Sequence, residues 1–372
     1  MSISALVTSV FRPLQTAAVK PALPGRKRRP AGGAIAEEPI GGASLIIAPQ
    51  WIGDAVMTEP LLRRLAARGE RLTVGALPWV APVYRAMPQV DEVIEFPFAH
   101  GGLQFKARRN IARRIEGQFD AAYVLPNSLK SALLPFLASI PRRIGYLGEA
   151  RIGLLTHRLK NPKTKMKDKL PMVAFYSALS GESGIEADQP QLDVPEAQVE
   201  QSLAELGLQR GAYAVFAPGS EYGPAKRWPA AYFAALARQV SMPVVLLGSA
   251  KEAGVCDEIA KAAENCINLA GKTTLDQAIC ALAASKSIVS NDSGLMHVAA
   301  ALGVPQVAIF GSSSPMHTPP LSSKAAVVWL KTDAAYQPPL DCAPCFEREC
   351  PLGHTRCLND ISPERVLAAL QK

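Results

Sequence analysis

The sequence predicts an α/β protein of two doubly wound parallel-sheet domains. Three observations predict it. Short apolar runs of strand length alternate with longer helix-period segments, first over residues 43–138 and again over 213–310. A polar stretch, GIEADQPQLDVP (184–195), separates the two series and reads as a linker. The chain has 372 residues, 48% of them apolar, which is long for one core and suits two. The predicted domains are a tail over 1–42, a first sheet domain over 43–190 and a second over 191–372. The C-terminal helix is free to pack back on the first domain.

Element by element, SLIIA (44–48) is a buried strand, and a helix follows over 55–68. Residues 72–77 and 90–96 read as strands. KARRNIARRIE (106–116) is a basic amphipathic helix, 120–125 a strand and 128–138 a helix. Residues 145–200 are less regular, with an exposed charged loop, NPKTKMKDK (161–169), before a helix near 170–180. The alternation then restarts. Strands at 213–217 and 244–247 lead to helices at 230–240 and 251–263. A helix at 275–284 leads to strand 287–290, and a helix at 294–302 to strand 306–310. A last helix spans 363–370. Ligands of such sheets bind beyond the carboxyl ends of the strands.

The formal net charge of +8 points to an anionic partner: a nucleotide, a phospholipid surface or a nucleic acid. No RRM, helix-turn-helix or KH pattern supports the last. No apolar run reaches the roughly 18 residues of a membrane span. The N-terminus, MSISALVTSVF, has a short apolar stretch with its basic residues after it, so it does not read as a signal peptide and a cytoplasmic protein is expected. Residues 1–42 are Pro/Gly-rich and basic, with little to bury, and read as a disordered arm.

Three strand-to-helix turns carry chemistry. PGSEYGPAKRWP (218–229) is rich in small residues and ends in Lys226 and Arg227, which suits an anion. The plain alternative is a surface loop with a helix-starting proline. NDSGLMH (291–297) joins a strand to a helix. Asp292 and Ser293 are candidate N-caps, Gly294 lets a ligand approach the backbone, and His297 is placed to donate to a phosphate. Here the alternative is simple capping by Asp292 beside a structural histidine. QWIGD (50–54) puts Asp54 at a helix start, either as an N-cap or as a carboxylate facing the cleft and able to take a proton from a hydroxyl. Glu59 lies round the helix from Asp54 and is not expected to pair with it.

LIIAPQWIGDAVMTEPLLRRL, YVLPNSLKSAL, PGSEYGPAKRWP and SNDSGLMHVAAALGVP, in that order, resemble the bacterial lipopolysaccharide heptosyltransferases, glycosyltransferase family 9. The resemblance spans about residues 44–370. It implies a GT-B fold, two Rossmann-like domains facing a central cleft, with acceptor in the first and nucleotide sugar in the second. It implies inverting transfer of L-glycero-D-manno-heptose from ADP-heptose to the inner-core heptose of lipopolysaccharide. Asp54 then corresponds to the proposed general base, and Glu59 stands where many members carry a second threonine. Lys226 offsets the diphosphate charge. Asp292, Ser293, Gly294, Leu295 and His297 cradle the diphosphate and sugar. Ser220 and Thr273 fall, with looser alignment, where members line the donor pocket. The transfer requires no cofactor, and no D-x-D metal motif is present. The alternatives are a sibling enzyme adding the first heptose to Kdo-lipid A and a non-catalytic nucleotide-sugar-binding module.

Cys342, Cys345, Cys350 and Cys357 follow the spacing C-x2-C-x4-C-x6-C in a polar loop with His354, whereas Cys256, Cys266 and Cys280 read as small core residues. A cytoplasmic location disfavours disulfides. A structural zinc fits the four thiols, and so does a reduced loop; an iron–sulfur cluster fits less well. The expected partners are ADP-heptose, the glycolipid acceptor and the cytoplasmic face of the inner membrane, the last through the basic helix and Lys163–Lys169; no nucleic acid is expected.

Overall fold

The computed structural model describes residues 41–99, 102–162, 171–182 and 188–371. The basic arm, apart from residues 41–42, lies outside them. So do the lysine-rich stretch 163–169 and residues 184–187 of the linker.

The first half runs β1 (Gly42–Ile47), α1 (Ile52–Met57), α2 (Glu59–Ala67), β2 (Glu70–Ala76), α3 (Ala81–Arg85), β3 (Glu92–Glu95), α4 (Phe105–Ile115), β4 (Ala121–Val124), α5 (Leu129–Leu137), β5 (Arg142–Tyr146), β6 (His157–Leu159) and α6 (Met172–Ser177). The second runs α7 (Glu196–Leu206), β7 (Ala214–Ala217), α8 (Ala230–Ala237), β8 (Val244–Leu246), α9 (Ala253–Ala262), β9 (Cys266–Asn268), α10 (Leu275–Ala283), β10 (Ser287–Asn291), α11 (Gly294–Ala301), β11 (Gln306–Phe310), β12 (Ala325–Trp329), α12 (Arg356–Asn359) and α13 (Pro363–Leu370).

Each half is a six-stranded parallel sheet. The orders are β3-β2-β1-β4-β5-β6 and β12-β11-β10-β7-β8-β9. Counted from the start of each half, both follow the 3-2-1-4-5-6 order of a dinucleotide-type sheet. Helices on both faces bury the central strands: β1 beyond its first residue, and β4 and β7 throughout. The order reverses between β1 and β4 in the first half and between β7 and β10 in the second. All three chemistry-bearing turns leave strands at these reversal points.

The structure departs from the predicted elements in instructive ways. The single helix expected over 55–68 is two, broken at Thr58. Pro60 enters in the first turn of α2 and has no N–H for a continuing helix. The Thr58 hydroxyl donates to Ala55 O at 2.7 Å and finishes α1. β5 and β6 went unpredicted because Arg142 and Arg143 open β5 with charge. Arg143 spends its guanidinium on Leu154 O and Ile140 O, so the strand stays buried at Ile144–Tyr146 despite that start. β9 and β12 are edge strands with weak apolar patterns. The last helix, α13, packs on α8, β11 and β12 of the second half. Val366 and Leu370 join that core around Phe216, Trp228 and Phe233.

Candidate functional site

The two halves meet through the starts of α1 and α11. Glycines permit the approach. A Cβ at Gly294 would stand 2.8 Å from Ile52 Cβ, and one at Gly53 would stand 2.8 Å from His297 Cδ2. α11, which follows the turn Asp292-Ser293, therefore lies against the helix carrying Asp54. The linker ties the halves again: Leu192 N–H donates to Ala301 O, Asp193 N–H to Ala86 O, and Gln191 N–H to the Glu59 carboxylate. Glu59 is buried and also accepts from Gln89 at 2.9 Å. It is an interdomain brace and makes no carboxylate pair with Asp54.

Asp54 is not the N-cap of α1. Trp51 holds that position, and Asp54 sits in the first turn. Its Oδ1 accepts from Tyr176 Oη of α6 at 3.2 Å. Burial raises its pKa from 3.8 to about 6. The Tyr176 bond and the Lys226 charge hold it down, and Asp292 pushes it up. Asp54 is thus a carboxylate poised near neutrality, within electrostatic reach of Lys226 and Asp292, two candidate site residues from a distant part of the chain.

In the second half, Lys226 Nζ donates to Asp292 Oδ2 at 2.5 Å. Its ammonium also stands 5.1 Å from the Tyr222 ring centroid. Asp292 is therefore a partner of Lys226 and does not cap α11. Ser293 occupies the N-cap position of α11, yet its hydroxyl is buried with no hydrogen-bond partner. An eight-residue helix whose N-terminal amides and adjoining hydroxyl are left open is built for an anion. Leu295 is half-buried beside them. His297 is buried in the same helix; burial chiefly, with the Lys226 charge, lowers its pKa to about 4 against the pull of Asp292. It is a neutral imidazole with one N–H to give. Ser220 is buried in the loop after β7, and its carbonyl accepts both Arg227 Nε and Nη2. Thr273 is half-buried in the loop between β9 and α10, with no described hydrogen bond to the Lys226–Asp292 pair; Thr274 caps α10.

Sequence reasoning missed four contributors. Asn291 is fully buried and clamps both ends of the loop 218–229. Its Oδ1 accepts from Trp228 N–H at 3.0 Å and its Nδ2 donates to Pro218 O at 2.6 Å. The Glu252 carboxylate, after β8, leaves no room for a Cβ at Gly219 of the loop. Ser312 and Ser313, just past β11, bury unpartnered hydroxyls. The signals were present as polar residues just beyond strand ends. In the first half, a cavity of about 40 Å³ opens beyond β1, β2 and β4. Gln50, Phe98, Arg108, Ser128 and Lys130 are among the residues lining it.

Arg108 does not belong with the solvent-facing arginines of its helix. It is buried, donates to Leu103 O at 2.8 Å and lies 4.1 Å over the Phe98 ring.

The model of glycosyltransferase family 9 (heptosyltransferase) matches residues 108–356. The chain belongs to glycosyltransferase family 9. It is 42% identical to lipopolysaccharide heptosyltransferase 2 of Escherichia coli K12 over 348 residues, 88% of this chain and 97% of that protein. It is 37% identical to lipooligosaccharide heptosyltransferase 2 of Haemophilus influenzae over 88% of this chain and 98% of that one. The solved structure of E. coli ADP-heptose lipopolysaccharide heptosyltransferase II superposes with a TM-score of 0.74 at 40% identity, covering 88% and 97% of the two chains. An E. coli heptosyltransferase solved with ADP-2-deoxy-2-fluoro heptose shares the fold, with a TM-score of 0.61 at 20% identity, covering 88% and 99%. This family 9 glycosyltransferase thus has the expected GT-B architecture, two Rossmann-like domains around a cleft. Among its described residues, no helix is long and apolar enough to cross a membrane.

Proposed function

We propose that this protein is a lipopolysaccharide heptosyltransferase of the second type, moving heptose from ADP-heptose to the inner-core heptose of lipopolysaccharide. The observation that carries the reading is the meeting of α1 and α11. It sets a carboxylate with a raised pKa beside a lysine–aspartate pair and an open helix N-terminus. Asp54 takes the proton of the acceptor hydroxyl, whose oxygen attacks the anomeric carbon as the bond to the diphosphate oxygen breaks. One displacement inverts the centre. Lys226, the α11 amides and Ser293 take up the charge that develops on the departing ADP, and no step calls for a divalent metal. His297 gives its single N–H to the donor. Glu252 follows the second strand of the nucleotide-binding half, where a carboxylate binds ribose hydroxyls in related sheets. Ser220 lies in the same loop as Lys226 and contributes to the donor pocket.

The acceptor is a glycolipid, and we assign the membrane-facing surface to α4 and α5. Lys106, Arg109, Arg113 and Arg114 are exposed on α4. Beside them Leu103, Phe105, Leu129 and Phe136 are large apolar side chains open to solvent. Basic residues flanking apolar ones suit an anionic bilayer at the cytoplasmic face.

The test is mass spectrometry of the glycolipid formed by purified protein, ADP-heptose and defined acceptors. A gain of one heptose on an acceptor already carrying the first heptose is expected. A gain on the heptose-free Kdo acceptor alone would indicate the sibling enzyme, and none on either a binding module.

A further inference from the structure

We propose that Cys342, Cys345, Cys350 and Cys357 bind one zinc ion as four thiolates, and that this ion braces the donor loop from behind. The four sulfurs converge from a stretch of sixteen residues onto the wall of a single cavity of about 20 Å³, room for one ion and little else. All four are free thiols. Cys256 and Cys280, by contrast, are fully buried in the core, as structural cysteines usually are.

The loop needs a fastening. Between β12 and α12 the chain runs for more than twenty residues with only a single 3-10 turn, Leu330–Thr332, and its buried apolar anchors there are Leu330, Leu340 and Ala343. A structureless stretch of that length in a compact domain is generally tied down by something other than its own packing. The thiols surround the cavity without being drawn to ligand distance; binding pulls them in. Thr355 N–H already points at Cys350 Sγ at 3.4 Å, the kind of donor that supports a metal-bound thiolate. His354 lines the same cavity, but its Nδ1 accepts from Arg356 N–H at 3.0 Å, so it braces the loop. Four sulfur donors in a closed setting suit a tetrahedral ion, for which zinc is the redox-inert choice in an enzyme whose transfer involves no redox step.

The span between the second and third cysteines is also the platform of the donor loop. Tyr222 Oη donates to Phe346 O at 2.6 Å, and Ala225 N–H to Arg348 O at 3.0 Å. Gly223 is pressed so close that a Cβ would stand 2.5 Å from Arg348 O. Ala225 itself lines the thiol cavity, and the next residue is Lys226. Phe346 N–H donates to Ser312 O, which ties the platform to the end of β11. Fixing Cys345 and Cys350 therefore fixes the backbone that presents Lys226.

The experiment is elemental analysis of full-length wild-type protein, purified reduced without chelator and then equilibrated with zinc and desalted. One zinc per chain is expected, with X-ray absorption showing four sulfurs at about 2.3 Å. Cys345→Ser and Cys350→Ser should lose it and Cys256→Ser keep it, with folding followed by circular dichroism. Metal-free wild-type protein should bind ADP at least about fivefold more weakly. Wild-type protein that retains no zinc, zinc that survives loss of both Cys345 and Cys350, or iron in its place would overturn the site. Unchanged ADP affinity after zinc removal would overturn the bracing. Metal content is read without any sugar donor, so this result stands apart from the proposed activity.

Discussion

His297 of α11 lies against Gly53 of α1, so close that a Cβ at position 53 would stand 2.8 Å from its ring. The imidazole is buried and neutral, so it has little freedom to swing aside. Gly53→Ala should therefore displace either His297 or the start of α1. A fall in turnover of tenfold or more is expected, with a loss of stability of about 1–3 kcal/mol, the usual range for overpacking. Steady-state kinetics and thermal unfolding of the one variant check both. Near-normal turnover would show that the contact has no bearing on the site.

Asp54 is held in a setting that disfavours its charge. A carboxyl whose folded pKa is raised binds more protons folded than unfolded between pH about 4 and 6. Stability thus falls as pH rises through that window and stays reduced above it. Asp54→Asn removes the penalty and keeps the acceptor for Tyr176. At pH 7.5 it should be more stable by on the order of 2–3 kcal/mol, seen as a higher unfolding temperature, while transfer drops by about a hundredfold or more. ADP binding should persist. A less stable, active variant would contradict both roles.

The same group sets a pH profile. Transfer needs the ionised base, so kcat/KM should fall with unit slope below pH about 6. The Tyr176 hydrogen bond stabilises the ionised form. Tyr176→Phe should therefore move the acid limb to higher pH, which a purely structural tyrosine would not do.

Lys226 and Asp292 form a partly buried ion pair at 2.5 Å. Lys226→Ala leaves the Asp292 carboxylate unpaired at 5% exposure and should cost on the order of 2 kcal/mol. Adding Asp292→Asn should restore most of that stability without restoring transfer. Denaturant melts of the single and double variants decide this, since full recovery of activity in the double variant would mean that Lys226 serves only to neutralise Asp292.

Arg109, Arg113 and Arg114 face solvent on α4, whereas Arg108 is packed on Phe98. Reversing the three exposed charges to Glu should weaken binding to anionic liposomes by tenfold or more, at about 1 kcal/mol per basic residue. Turnover on a soluble acceptor should not change. Unchanged liposome binding would remove the membrane role of this face.

The alternation of apolar runs and helical periods was enough to define two parallel sheets, because buried parallel strands must be continuously apolar. Strand 306–310 and helix 363–370 were legible to the residue. β5 was not, because it opens with two arginines, and Arg143 is satisfied by the Leu154 and Ile140 carbonyls, which the local pattern cannot show. The residue types of the site were also local: PGSEYGPAKRWP, NDSGLMH and QWIGD each announce a strand-end turn. Their assembly was not. Asp54 and Asp292 are 238 positions apart in the sequence and come within electrostatic reach only because Gly53 and Gly294 let α1 and α11 touch. Sequence alone leaves Asp292 either a cap or a ligand-facing residue; the tertiary structure gives it Lys226 and leaves the cap of α11 open. Local sequence determines which backbone turns can hold an anion or a base. Burial, desolvation and the partner each charge finds depend on packing between distant segments, and only the folded chain decides them.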